Sequence, residues 1–489
     1  MNFIFFFPDE MRASSVSCFG NSVVKMPNYD RLASEGVCFD DCSVQNPVCS
    51  PSRCCTMTGL YPHNNGHRTL WHLLRPHESN LFGYLKDAGY DIAWYGKNDL
   101  FSQELLDEYC ADISEKRNGY KSMPSRPTGR VSGQRNPYPP DDPRYYTFLY
   151  SPIPEPDGEL PLDINVARGI DFLRKRKTGD KPFFLYLPLS MPHPPYTALE
   201  RFYNMYSAEP DIPVGADAIG EPKYAELIRR YRRLDKLDAD FFSKIYSVYL
   251  GMNSYCDFLL GELLDALDET GLKDDTTIIV SSDHGDWAGS RGLVEKWPNS
   301  MYDELVRVPL IIYSPGCKAG HRVTSPNELF DIMPTILELA GIEPRHTHFA
   351  HSLLPMLRGG NGDPNRAVFC EGGYDPHEPH CSEAYTCSEL HAKDLLDPNN
   401  IYYPKVLQQK EHPESVCRTV MIKQNGWKLV RRTSGDNGLY NLTADPHELT
   451  NLYNHTEYDD KRRELETALL DWYIKTSDTV PTTDDPRGF

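Results

Sequence analysis

The sequence is short of positive charge: 51 Lys and Arg stand against 70 Asp and Glu, a formal charge of −19 over 489 residues. A nucleic-acid binder needs a basic footprint, so this balance argues against that partner. Any anion the chain binds must meet local positive charge, because the overall field repels it. Long apolar runs are also missing. The longest early one, Phe3–Phe7, stops at Pro8-Asp9, far short of the roughly 20 residues needed to span a bilayer. It lacks the basic n-region and small-residue cleavage site of a signal peptide. The expectation is a chain without a membrane span, cytoplasmic as written, or periplasmic or secreted if a leader has been trimmed. Cysteine is thinly spread, 13 residues with no Cys-x-x-Cys pair, which excludes a disulfide miniprotein. A structural zinc site from Cys42, Cys49, Cys54 and Cys55 is a poor fit, since the adjacent Cys54 and Cys55 cannot chelate tetrahedrally with ease.

What remains is ordinary globular composition, 39% hydrophobic and 25% charged. Phe3–Phe7 reads as a strand buried on both faces of a parallel sheet. Further strands read at Ile92 to Tyr95, Phe183 to Leu187, Thr276 to Val280 and Val308 to Tyr313. A helix carrying Leu259, Leu260, Leu263, Leu264 and Leu267 on one face stops near Gly271. Strands alternating with amphipathic helices predict an α/β fold, a large mostly parallel sheet flanked by helices. Past about residue 366 the pattern changes. Thr419 to Lys423 and Trp427 to Arg431 flank Gln424-Asn425-Gly426, a hairpin signal, and a helix follows from about Asp460 to Ile474. The reading is a catalytic-type domain over 1–365 and a smaller C-terminal subdomain with an antiparallel sheet over 366–489. Residues 117 to about 160 and 373 to about 415 read as long surface insertions.

Polar residues gather at strand ends, where ligands bind in open α/β sheets. Asp9-Glu10 follow the first strand, Lys97 the Ile92 strand, His193 the Phe183 strand and Asp283-His284 the Thr276 strand. Two acidic clusters with a histidine offer oxygen and imidazole donors suited to a hard divalent cation. Arg53, Lys97, His193 and Lys296 would then neutralise a tetrahedral oxyanion.

The sharpest motif is Cys49-Ser50-Pro51-Ser52-Arg53, followed by Thr58-Gly59. It resembles the Cys-x-Pro-Ser-Arg signature of the type I, formylglycine-dependent sulfatases of the alkaline-phosphatase-like superfamily. The likeness runs along nearly the whole chain. Phe6-Phe7-Pro8-Asp9-Glu10, Tyr95-Gly96-Lys97-Asn98-Asp99-Leu100, Met191-Pro192-His193-Pro194-Pro195-Tyr196 and Ser282-Asp283-His284-Gly285-Asp286 are similar to family segments. So are Gly438-Leu439-Tyr440-Asn441-Leu442 and Asp445-Pro446-His447-Glu448 near the end.

The resemblance implies that Cys49 is oxidised by a formylglycine-generating enzyme to Cα-formylglycine, whose hydrate attacks sulfur. It implies Asp9, Glu10, Asp283 and His284, with position 49, as ligands of a divalent cation, Ca2+ ahead of Mn2+ or Mg2+. Arg53 would hold the modified residue, and Lys97, His193 and Lys296 would bind sulfate or protonate the leaving alcohol. Two positions depart from the family pattern. Glu10 stands where Asp or Gln is common, and Asp99 where a histidine is usual, so Asp99, His63 or His67 would assist sulfate release. The expected substrate is a sulfated carbohydrate, with phosphonate monoester or phosphodiester hydrolysis as the alternative. Arg117, Arg126, Arg130, Arg135 and Arg144, interleaved with Tyr120, Tyr138, Tyr145 and Tyr146, would line its groove.

Overall fold

The computed structural model describes residues 1–110, 112–113, 136–155, 160–177, 179–206, 215, 218–379, 381 and 393–482. Its strands in chain order are β1 Asn2–Phe7, β2 Val37–Phe39, β3 Cys42–Ser43, β4 Asp91–Trp94, β5 Asp112–Ile113, β6 Phe183–Pro188, β7 Thr276–Ser281 and β8 Arg307–Val308. They continue as β9 Leu310–Tyr313, β10 His321–Val323, β11 Asn327–Glu328, β12 Val368–Gly372, β13 Thr419–Gln424, β14 Trp427–Arg432 and β15 Gly438–Asn441. A mixed eight-stranded sheet runs β10-β2-β9-β7-β1-β6-β4-β5. Its central strand β1 pairs in parallel with β6 on one side and β7 on the other. Every residue of β1 is buried, as its unbroken apolar run requires of a strand covered on both faces.

The sequence reading of one strand over Val308 to Tyr313 is corrected. Pro309 carries no N–H for a ladder and splits the run. Arg307–Val308 joins a small sheet antiparallel to β3, while Leu310–Tyr313 enters the large sheet antiparallel to β7 and β2. The expected leucine helix is longer than its periodic stretch. It spans Ala239–Thr270, capped by the Asp238 side chain, which accepts from the Phe241 N–H at 3.0 Å. Its middle, from Ile245 to Asp257, is buried all round, which erases the one-sided pattern there. No helix among the described residues is long and apolar enough to cross a membrane.

The β13–β14 hairpin forms as read, with Asn425 and Gly426 both at positive φ, 51° and 74°, as a tight two-residue turn demands. With β12 and β15 it makes a four-stranded antiparallel sheet, packed against the helix Asp459–Thr476. That sheet begins at Val368, and side chains from it, including Cys370, Met421 and Tyr440, enter the same apolar core as β1.

Gly251 shows how closely the long helix is packed. A Cβ there would sit 2.1 Å from the carbonyl oxygen of Phe202, a backbone atom that cannot swing away. Alanine gains about 1 kcal/mol in helix propensity, but overpacking costs about 1–3 kcal/mol. Gly251→Ala therefore lowers the urea midpoint of unfolding at unchanged m-value.

Candidate functional site

Four adjacent strands, in the order β7-β1-β6-β4, deliver their carboxyl ends to one place, and the helix Cys49–Thr58 points its first residue into it. Serine and tyrosine hydroxyls stitch the loops together. Ser282 Oγ accepts from Met11 N–H at 2.8 Å, joining the turns after β1 and β7. Tyr249 donates to the Glu10 carbonyl at 2.5 Å and accepts from Arg12 N–H at 3.1 Å. Between them Glu10 is held at φ 67°, a left-handed conformation that costs a non-glycine residue roughly 1 kcal/mol or more.

Asp9, Glu10, Asp283 and His284 are all fully buried, and Cys49 is 1% exposed. The Cys49 Sγ lies 3.2 Å from His284 Nε2, and 3.6 Å from both Asp9 Oδ1 and Lys97 Nζ. Arg53, one helical turn on, reaches back under the thiol. It donates to Asp283 Oδ2 from Nε at 2.9 Å, pairs with Asp9 Oδ2 at 3.2 Å and donates to the Tyr186 hydroxyl at 3.2 Å. Lys97 pairs with Asp9 and, at 2.8 Å, with Asp99. Lys296 pairs with Glu10 and lies 3.2 Å from His193 Nε2, which itself is 3.1 Å from Glu10 Oε1.

These contacts set the protonation states. Burial alone would raise the Asp9 pKa, but Lys97 and Arg53 drag it well below the usual carboxylate range. Burial pushes the Glu10 carboxyl well up, opposed by Lys296 and reinforced by Asp286. Burial, then Asp9, pushes the Cys49 thiol well up. Burial, then Lys296, pushes His193 well down, so it is neutral. Its Nδ1 faces the Pro194 carbonyl at 2.6 Å, and that of His284 faces the Gly285 carbonyl at 2.8 Å. A carbonyl opposite Nδ1 can accept that nitrogen's ring proton, the usual arrangement of a ligating histidine.

The donor set fits a hard cation. Ligand atoms of Asp9, Cys49, Asp283 and His284 lie within 4.8 Å of one another, and so do those of Asp9, Glu10, Cys49 and His193. Glu10 Oε2 is buried beside this cluster with no hydrogen-bond donor, and its carboxyl has the Asp286 carboxyl as a neighbour. Among the cysteines of the described residues, Cys49 alone takes part.

A family model described as Sulfatase matches residues 1–342. The chain belongs to the sulfatase family. It is 27% identical over 98% of its length to the multifunctional alkaline phosphatase superfamily protein PehA of Trinickia caryophylli, covering 94% of that protein. It is 25% identical over 98% of its length to the N-acetylglucosamine-6-O-sulfatase of Bacteroides thetaiotaomicron, covering 87% of it. The phosphonate monoester hydrolase structure of Agrobacterium radiobacter shares the fold at TM-score 0.71 and 22% identity, over 99% of this chain and 100% of that one.

Of the residues singled out by sequence in this sulfatase-family chain, Asp9, Glu10, Cys49, Arg53, Lys97, His193, Asp283, His284 and Lys296 meet in one cluster. Asp99 is tied to it through Lys97. His63 and His67 lie elsewhere. His63 pairs with Glu371 and the Thr476 carbonyl, and His67 with Glu78 at 3.0 Å and the His72 carbonyl at 2.8 Å. Neither pairs with a residue of the cluster through these contacts. Arg144 is held by Asp142 at 2.7 Å, and the Tyr145 and Tyr146 hydroxyls donate to the carbonyls of Asn399 and Pro398. Arg117, Tyr120, Arg126, Arg130 and Arg135 lie outside the described residues.

Sequence reasoning gave no role to Tyr186, whose only signal is a hydroxyl inside an apolar strand, or to Glu295. The Glu295 carboxylate, 2% exposed, pairs with Arg232 at 2.9 Å and Lys405 at 3.0 Å and sits next to Lys296. Burial alone would raise its pKa, but Lys405 and Arg232 hold it at about 2, below the ordinary 4.5. A depressed carboxylate contributes stability that is present above the unfolded pKa and lost as pH falls through the folded one. Glu295→Gln, which strands two buried cations, is expected to cost about 3 kcal/mol at pH 7. In denaturant titrations the gap between wild type and variant narrows as pH falls from 4.5 toward 2.

Proposed function

We propose that this chain hydrolyses sulfate esters, those of an anionic saccharide in particular, with Cys49 matured to Cα-formylglycine and a divalent cation at the strand ends. The observation that carries the reading is the placement of Cys49. It opens a helix, buried, between His284, Asp9 and Lys97 at 3.2 to 3.6 Å, with Arg53 beneath it. Family membership and the N-acetylglucosamine-6-O-sulfatase likeness support the sulfate and sugar parts of the reading.

Asp9, Glu10, Asp283 and His284 would hold the cation, Ca2+ ahead of Mn2+ or Mg2+ for an oxygen-rich set. Bound there, the cation supplies a fixed charge against the ester oxygens and acidifies the attacking oxygen, and the matured side chain supplies that oxygen as an aldehyde hydrate. Arg53 orients the side chain at 49 and balances Asp9 and Asp283. Lys97, 3.6 Å from the thiol, and Lys296 present ammonium groups to an anionic ester, as preformed dipoles and charges do in oxyanion sites. His193 Nε2 and Lys296 Nζ form one proton-holding pair, placed to hand a proton to a leaving alcohol. Asp99, tied to Lys97, would assist release as the carboxylate beside that lysine. Because Cys49 is closed off in the folded chain, its conversion by a formylglycine-generating enzyme precedes completion of the fold.

A panel of aryl and sugar sulfates against phosphonate monoesters tests the reading. Sulfates are expected to give the higher kcat/KM. A preference for phosphonates of more than about tenfold, roughly 1.4 kcal/mol in transition-state binding, would reassign the chain to phosphonate ester hydrolysis.

A further inference from the structure

The loops that carry the cluster come from different strands, and some contact must fix them against one another. One hydroxyl joins two of them. Tyr196 is fully buried, three residues after His193 on the loop that follows β6. Its Oη donates to Asp286 Oδ1 at 2.6 Å, on the loop that carries Asp283 and His284. The same oxygen accepts from the N–H of Glu295, the residue just before Lys296, at 2.9 Å. Its ring packs edge-on against Tyr249 at 6.4 Å, and the Tyr249 hydroxyl holds the Glu10 carbonyl. The backbone of Tyr196 is anchored in turn, its N–H donating to the Phe148 carbonyl at 2.8 Å and its carbonyl accepting from Tyr150 N–H at 3.1 Å.

We propose that Tyr196 is a positioning residue: its hydroxyl, bridging Asp286 and the Glu295 amide, sets the Lys296–His193 pair against the Asp283–His284 loop. Asp286 is the other half of the joint, its Oδ1 also accepting from Ala288 N–H at 2.6 Å. The 3.2 Å spacing of Lys296 Nζ and His193 Nε2 spans two loops that this hydroxyl bridges, alongside the Glu10 carboxyl that both side chains touch. Misplacing reacting groups by about 1 Å costs about a hundredfold in rate. Loss of the hydroxyl therefore acts on turnover far more than on substrate affinity. The role rests on the ester-hydrolase reading of the site, but the joint itself is a structural claim with its own readout.

The test uses the full matured chain and Tyr196→Phe, which keeps the ring and its packing. With whichever ester wild type turns over fastest, kcat is expected to fall about a hundredfold while KM stays within about threefold. In hydrogen exchange the peptide spanning 285–296 should exchange faster, because the Glu295 amide loses its acceptor, with little change in Tm. A kcat within about threefold of wild type, or unchanged exchange in that peptide, overturns the proposal. So does a loss of kcat that merely tracks the fraction unfolded. Asp286→Asn keeps an acceptor oxygen for Tyr196, whereas Asp286→Ala removes it. The Asn variant is expected to retain at least about tenfold more kcat than the Ala variant, and equal rates would contradict the joint. Combining Tyr196→Phe with Asp286→Ala should be no worse than Asp286→Ala alone, since both break one unit, and additive losses would contradict it. No ester turnover by wild type would instead defeat the functional reading, leaving the exchange result to decide the joint.

Discussion

The arrangement turns on a charge balance held out of water. Three carboxylates, Asp9, Glu10 and Asp283, are buried around one thiol, and left alone they would repel each other and pay the full cost of desolvation. Arg53, Lys97 and Lys296 make the cluster tolerable, each against a carboxylate it can touch. Replacing such a set with apolar side chains would serve stability at least as well. Charges collected in this way at strand ends mark a site that needs them for chemistry. Ligand atoms of Asp9, Cys49, Asp283 and His284, drawn to within 4.8 Å of one another, are where this balance could hold a cation.

Everything upstream of the site serves to place those groups. An apolar run with no polar interruption makes β1 the central strand, and its parallel neighbours end level with it, so their following loops converge. The backbone absorbs the remaining mismatch. Glu10 and Glu295, both in the left-handed region, take up the turns that bring a carboxylate and a lysine to the same point. Hydroxyls of Ser282, Tyr249 and Tyr196 then lock one loop to the next.

This explains what could be read from the sequence and what could not. The cluster of Asp9, Cys49, Arg53, Lys97, His193, Asp283, His284 and Lys296 was legible because each residue sits in a local motif or directly after an apolar strand. The main strands are legible for the same reason, while Val308 to Tyr313 divides between two sheets because Pro309 withholds a ladder N–H. Glu295 was invisible, since its meaning lies in Arg232 and Lys405, which are far away in sequence. His63 looked like a neighbour of Cys49 until Glu371, 308 residues on, claimed it. Tyr186 and Tyr196 were hidden by their rings, which read as core, while their hydroxyls do the joining.

The account stands or falls on the side chain at position 49 in active protein. Mass spectrometry of the peptide containing Cys49-Ser50-Pro51-Ser52-Arg53, taken from a preparation of measured turnover, is the direct measurement. The account predicts a thiol replaced by an aldehyde, in a proportion that follows specific activity across preparations. A fully active preparation whose Cys49 is still an unmodified thiol would contradict it.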